Sequence, residues 1–115
     1  VRDYVHVEDL VAAHLLGLGW LQDGKPTKAF NLGSGRGYSV REVVNAVDAI
    51  LGTEMPTTTG PRRAGDCASL VSGSGRAASQ LGWKPQYEGL PKPIRHAWLW
   101  EQATQPEIRV RAGGQ

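Results

Sequence analysis

A small mixed α/β fold, with about four helices and three or four short strands, is predicted by three features of the sequence. Two stretches, Glu8–Leu21 and Ser39–Leu51, carry apolar residues at helical spacing behind acidic or hydroxyl starts. A third helix is expected from Gly89 onward, where Pro91 and Pro93 fit a first turn whose amides have no intrahelical partner. The apolar pieces between them are too brief to make a sheet with buried faces of its own.

Taken in order, Val1–Val7 alternates, with Val5 and Val7 on one side and Tyr4 and His6 on the other, and reads as a short strand. The period then changes. Leu10, Val11, His14, Leu15, Leu18 and Leu21 share a helical stripe, Glu8 and Asp9 suit the positive end, and Gly24 ends the helix. His14 lies on that stripe and reads as a satisfied core histidine rather than a ligand. Lys25-Pro26 is a turn, and Ala29–Leu32 is a strand candidate. Gly33-Ser34-Gly35-Arg36-Gly37 leads to Ser39, an N-cap with Glu42 three residues on as its capping-box partner. Val40, Val43, Val44, Val47, Ile50 and Leu51 form one face, and Gly52 closes the helix.

Pro56–Thr59 and Ser69–Ser72 are β-branched or apolar and read as extended. Ser74 starts a small helix that Gly82 stops. In the last helix Leu90, Ile94, Ala97, Trp98 and Glu101 share a face, leaving Trp100 more exposed. Residues 105–115 are expected to be a loose tail. A strand at Ala29–Leu32 would need a sheet that these residues do not supply, because unpaired backbone groups are costly when buried. A motif opening at Arg2, with no methionine before Val1, is expected of a piece of a longer protein.

The 115 residues are 40% hydrophobic and 21% charged with a net charge of +2, a soluble composition without the basic footprint of nucleic-acid binding. No apolar run is long enough to span a membrane, and no signal peptide is expected. The one cysteine, Cys67, excludes an internal disulfide and suggests a reducing, cytoplasmic setting.

Gly60-Pro61-Arg62-Arg63-Ala64-Gly65-Asp66 reads as a rigid loop with its charges held out. Arginine grips phosphate because its planar guanidinium offers two parallel donors, and an aspartate can accept from sugar hydroxyls. A solvated turn is the other reading of the same loop. The Gly33-x-Gly35-x-Gly37 run has the strand-to-helix position of a dinucleotide loop, but its spacing fails: the third glycine of that fingerprint belongs at Tyr38. No nucleophile elbow occurs, and His6, His14 and His96 have no metal-ligand spacing. Tyr4, Tyr38 and Tyr87 lack a lysine four residues later, so no catalytic residue and no metal site is expected.

Arg2-Asp3-Tyr4-Val5-His6-Val7-Glu8-Asp9-Leu10, Phe30-Asn31-Leu32-Gly33-Ser34-Gly35, Gly60-Pro61-Arg62-Arg63-Ala64-Gly65-Asp66 and Leu81-Gly82-Trp83-Lys84-Pro85 stand in one order and spacing. Together they resemble the carboxyl-terminal part of the UDP-glucose (UDP-galactose) 4-epimerase family, extended short-chain dehydrogenases/reductases, and Ala97-Trp98-x-Trp100 resembles the family's last helix. The resemblance spans Val1 to about Gln102. It implies that residues 1–104 are a UDP-sugar-binding lobe, lacking the amino-terminal Rossmann lobe that holds NAD and the Tyr-x-x-x-Lys pair. The implied chemistry is oxidation and re-reduction at C4 of the sugar, interconverting UDP-glucose and UDP-galactose.

The roles the resemblance carries over are all in binding. Arg2 and Arg63 contact the diphosphate, Asp66 contacts the ribose, and Tyr4 and Val40 line the UDP pocket. The chain alone is expected to bind no NAD, to be inactive, and to be marginally stable or self-associating. Cys67 departs from a frequent proline, and Gly73 from an aspartate that would precede the small helix. A related nucleotide-sugar dehydratase or decarboxylase lobe, or a non-catalytic interaction module, are the alternatives.

Overall fold

The structure, a computed structural model, describes residues 1–105, so the tail expected over 105–115 lies outside the described residues from 106 onward. The order of elements is β1 (Arg2–Asp3), α1 (Val7–Gln22), β2 (Gly37–Tyr38), α2 (Val40–Leu51), a π-helical turn (Ala77–Leu81) and α3 (Pro91–Thr104). The mixed α/β class and the four helical segments are those predicted. The sheet is smaller. β1 and β2 pair antiparallel, Arg2 with Tyr38 and Asp3 with Gly37, and a parallel bridge joins Arg2 to Leu70.

Four strand expectations therefore shrink or fail. The first strand stops at Asp3, Ser69–Ser72 contributes only the bridging Leu70, and Ala29–Leu32 and Pro56–Thr59 form no strand. β-propensity makes a strand only where a neighbour supplies the ladder, and these segments find none among the described residues. β2 was not anticipated, because glycine weakens strands. Gly37 is needed for closeness: a Cβ there would collide with Val1 Cγ1 and come within 2.6 Å of Val71 Cγ2.

α2 forms for the local reasons read from the sequence. The Ser39 hydroxyl accepts from the Glu42 amide at 3.1 Å, and Gly52 closes the helix at φ 71°, its amide donating to Asp48 O. α2 packs against α3, where Leu90 is buried, Ile94 and Trp98 are half-buried, and Trp100 is 67% exposed.

α1 reverses its expected orientation. Its buried residues are Asp9 and Ala13, while Val7, Val11, Leu15 and Leu18 are 52–66% exposed. His14, expected in the core, is also exposed, its ring bonded to Leu10 O. The inward face is small and polar because Trp83 docks there. Its ring packs on Ala13 and Ala77, and its Nε1 donates to Asp9 O at 2.8 Å. A buried indole needs such a partner for its N–H.

Among the described residues five hydrophobic ones, Ala13, Tyr38, Ala77, Trp83 and Leu90, are buried, and Val5, Phe30, Leu32 and Leu81 pack around the Ala13–Ala77–Trp83 cluster. No helix among the described residues is long and apolar enough to cross a membrane.

Candidate functional site

Two aspartates near the start of the chain organise what surrounds the site. Asp3 Oδ1 accepts from the Ser34 amide (2.9 Å) and hydroxyl (2.7 Å), and Oδ2 accepts from the amides of Gly35 (3.2 Å) and Ser72 (3.3 Å). Burial pushes this carboxyl up, but the four donors outweigh it and hold the group below its ordinary value. Asp9, 2% exposed, accepts from the amides of Gln86 (2.8 Å) and Tyr87 (3.1 Å).

The glycine run finds its explanation here. Successive amides of Ser34 and Gly35 form a small anion nest, and the anion in it is the chain's own Asp3. Gly33 must be glycine because a Cβ would lie 2.5 Å from Asp3 Oδ2 and 2.6 Å from Ser72 O. The Ser34 and Gly35 amides of this turn are thus taken by the chain's own carboxylate.

Arg2 sits on β1 opposite Tyr38, two residues before Val40 opens α2. Its Nη1 donates to Val1 O and Cys67 O, both at 2.9 Å. Two backbone bonds, Leu70 N to Val1 O and the Val1 amino group to Ala68 O, fasten the same edge to the segment leaving the arginine loop. Arg2 thus lies between the start of α2 and the end of the Gly60–Asp66 loop. It also lines a cleft of about 450 Å³ with Asn31, Leu32, Leu70 and Ser72.

The remaining expected site residues are placed more loosely. Val40 is 68% exposed at the first position of α2, and Tyr4 is 37% exposed just beyond β1. Gly60–Asp66 is exposed throughout. Arg63 Nε pairs with Asp66 Oδ2 at 3.1 Å, with side chains 85% and 42% exposed. The structure brings Arg2 to the loop's exit and to the lead into α2. It joins Arg63 to Asp66 rather than to Arg2, and Tyr4 and Val40 do not line the Arg2 cleft.

One cluster escaped the sequence. His6 and His96, 90 residues apart, meet at 2.8 Å between Nε2 and Nδ1. His6 Nδ1 accepts from the Glu8 amide at the start of α1, so a neutral His6 carries its proton on Nε2 and donates it to His96. Tyr87 stacks on His6 at 4.2 Å between ring centroids. A hydrogen bond to the Glu8 carboxylate, with that charge close by, raises the Tyr87 phenol above its ordinary value. The group borders a cleft of about 870 Å³ walled by Val5, Val7, Pro93, Leu99 and Trp100. Among the described residues no three His, Cys, Asp or Glu side chains are grouped to hold a metal ion. No spacing rule could find a pair 90 residues apart.

Comparison with known proteins gives a consistent picture. No family model matches the chain. A UDP-glucose 4-epimerase of Lacticaseibacillus casei is 49% identical over 102 residues, covering 89% of this chain and 31% of that protein. A crystal structure of a UDP-glucose 4-epimerase matches at 52% identity and a TM-score of 0.84, over 91% of this chain and 32% of that one. The UDP-glucose 4-epimerase of Stenotrophomonas maltophila, solved with bound NAD and formylated UDP-arabinopyranose, matches at 36% identity and a TM-score of 0.83. It covers 91% of this chain and 31% of that one. The chain spans about a third of the length of the curated relatives it matches.

Proposed function

The chain matches the carboxyl-terminal part of the UDP-glucose 4-epimerases, and from that premise we propose that residues 1–104 are the UDP-sugar-binding lobe of a cytoplasmic, NAD-dependent UDP-glucose 4-epimerase. In this reading the whole enzyme interconverts UDP-glucose and UDP-galactose. NAD, held by the amino-terminal Rossmann lobe, takes up and returns the hydride at C4 of the sugar. The chain's own share is to bind and orient the nucleotide; alone it is inactive and binds no NAD.

The observation that carries the reading is the placement of Arg2. Among the described residues only its Nη1 is engaged, which leaves the rest of the guanidinium fork for a diphosphate. Arg63 reaches the same ligand from the loop whose exit Arg2 already touches. Asp66 accepts from the ribose hydroxyls, and Tyr4 and Val40 flank the uridine. Arg63 has to leave Asp66 to do this, and so exposed an ion pair contributes at most about 1 kcal/mol. A charge-assisted bond to phosphate, at roughly 1.5–3 kcal/mol, outweighs it.

The exposed stripe Val7, Val11, Leu15 and Leu18 and the cleft beside His96 are the surfaces the amino-terminal lobe covers in this reading. Without that lobe they drive self-association.

Calorimetric titration of UDP into the chain, Arg2→Ala and Arg63→Ala tests the proposal. Weak binding by the chain and a loss of about tenfold in each variant are expected, the low end because Arg63 is so exposed. Equal affinities in all three overturn it.

A further inference from the structure

We propose that Asp3 is the positioning residue of the diphosphate site: its carboxylate fills the amide nest of the glycine turn and thereby fixes Arg2 between α2 and the arginine loop. The proposal rests on the UDP reading above for its ligand, and on the geometry of Asp3 for everything else.

Adjacent residues of a strand send their side chains different ways, so Arg2 and Asp3, although both border the same cleft, reach different segments from one stretch of backbone. Arg2 turns one way, to Cys67 O. Asp3 turns the other way and gathers two segments onto β1. The first is Ser34–Gly35, which leads through β2 into α2 and Val40. The second is Ser72, which follows the loop carrying Arg63 and Asp66. The three stretches assigned to the nucleotide are held at one carboxylate whose oxygens are already taken by the chain's own donors.

Two further features fit this role. A carboxylate next to a phosphate-binding arginine would oppose the ligand if its charge were unmet, but four donors converge on Asp3. The fit is also tight, since Gly33 has no room for a Cβ between Asp3 and Ser72. A longer carboxylate cannot substitute, and a neutral amide would set its NH2 against an N–H donor.

The test exploits the nest. Asp3→Ala leaves the Ser34, Gly35 and Ser72 amides facing a space the size of a small carboxylate. UDP affinity in this variant is expected to fall about tenfold, like that of Arg2→Ala. Added formate, but not formamide, is expected to restore part of the affinity and to return the three amide NMR signals toward their wild-type positions. A purely structural truncation shows no such anion-specific rescue. An Asp3→Ala affinity within about twofold of wild type, with α2 signals unchanged, overturns the proposal.

If Asp3→Ala does not fold, Asp3→Asn replaces it. Retaining one oxygen, it is expected to show an intermediate loss, and an unchanged affinity overturns the claim. If the wild-type chain binds no UDP, the ligand reading has failed, and the amide signals then decide Asp3. Their formate-dependent return supports the role, and wild-type positions without formate refute it.

Discussion

Replacing Asp9 with asparagine tests how the end of the chain is fastened to its beginning. Asp9 is 2% exposed and gives one oxygen to the Gln86 amide and the other to the Tyr87 amide. Asparagine keeps the shape but has one oxygen, so its NH2 must face one of those two N–H donors. One charge-assisted bond, worth roughly 1.5–3 kcal/mol, is lost, and the other becomes an ordinary neutral bond worth about 1 kcal/mol less. The sum is about 2.5–4 kcal/mol. If the loss falls on local opening of the segment after Trp83, exchange of the Gln86 and Tyr87 amides with deuterium speeds up roughly seventyfold to nearly a thousandfold. Exchange-coupled NMR on wild type and Asp9→Asn reads this directly, with the Asp48 and Gly52 amides of α2 as an internal reference. A change of less than about twofold at Gln86 and Tyr87 refutes the reasoning, because it would mean that the carboxylate holds nothing.

Gly33→Ala is expected to destabilise the chain by about 1–3 kcal/mol through overpacking against Asp3 and Ser72, measured by urea denaturation. Gly24→Ala meets no neighbour but sits at φ 75°, so it shows only the smaller backbone cost. Leu15→Gln with Leu18→Gln is expected to reduce self-association in sedimentation experiments while leaving helix content unchanged, because both side chains already face solvent. Folding stability drops out of the low-pH end as Asp3 is protonated: with its folded pKa depressed, the contribution is full above the unfolded value and is lost as pH falls through the folded one. Carboxyl NMR titration of Asp3 checks the direction. Tyr87 has the opposite sign, its raised pKa favouring the fold below the unfolded value and losing that as pH rises through the folded one, and Glu8→Gln is expected to return the phenol toward normal in an ultraviolet titration.

What the sequence made legible was whatever is local. α2 could be read almost to the residue because Ser39, the spacing of its valines and Gly52 all act within one helix. The prolines of α3 and the loop character of Gly60–Asp66 were equally self-contained. Strands were read less well, since Ala29–Leu32 has the composition of a strand but no ladder partner here. Periodicity identified the apolar stripe of α1 but could not say what covers it, and Trp83 took the opposite face. Asp3, Asp9 and the His6–His96 pair escaped because each acts on residues far away in the chain. In the candidate site, β1 carries Arg2 to the loop's exit, a contact across 65 residues that no local signal announces. The pairing of Arg63 with Asp66 was not foreseen, although both residues had been singled out for a ligand.

The two aspartate anchors also set an order in time. Asp3 bonds across 31 and 69 residues, and Asp9 across 77 and 78. Contacts of such separation slow folding, because the entropy of closing the intervening loops is lost before any bond forms. During synthesis at roughly 5–20 residues per second, Asp9 waits about 4–15 s for Gln86 to be made. Through that interval a carboxylate destined for burial, and Ala13, which Trp83 later covers, stand open to solvent. Ser34 and Gly35 arrive much sooner, so the closure of the glycine turn on Asp3 is available long before that of Asp9 on Gln86. The last helix, Pro91–Thr104, is made only after the partners of both carboxylates are in the chain.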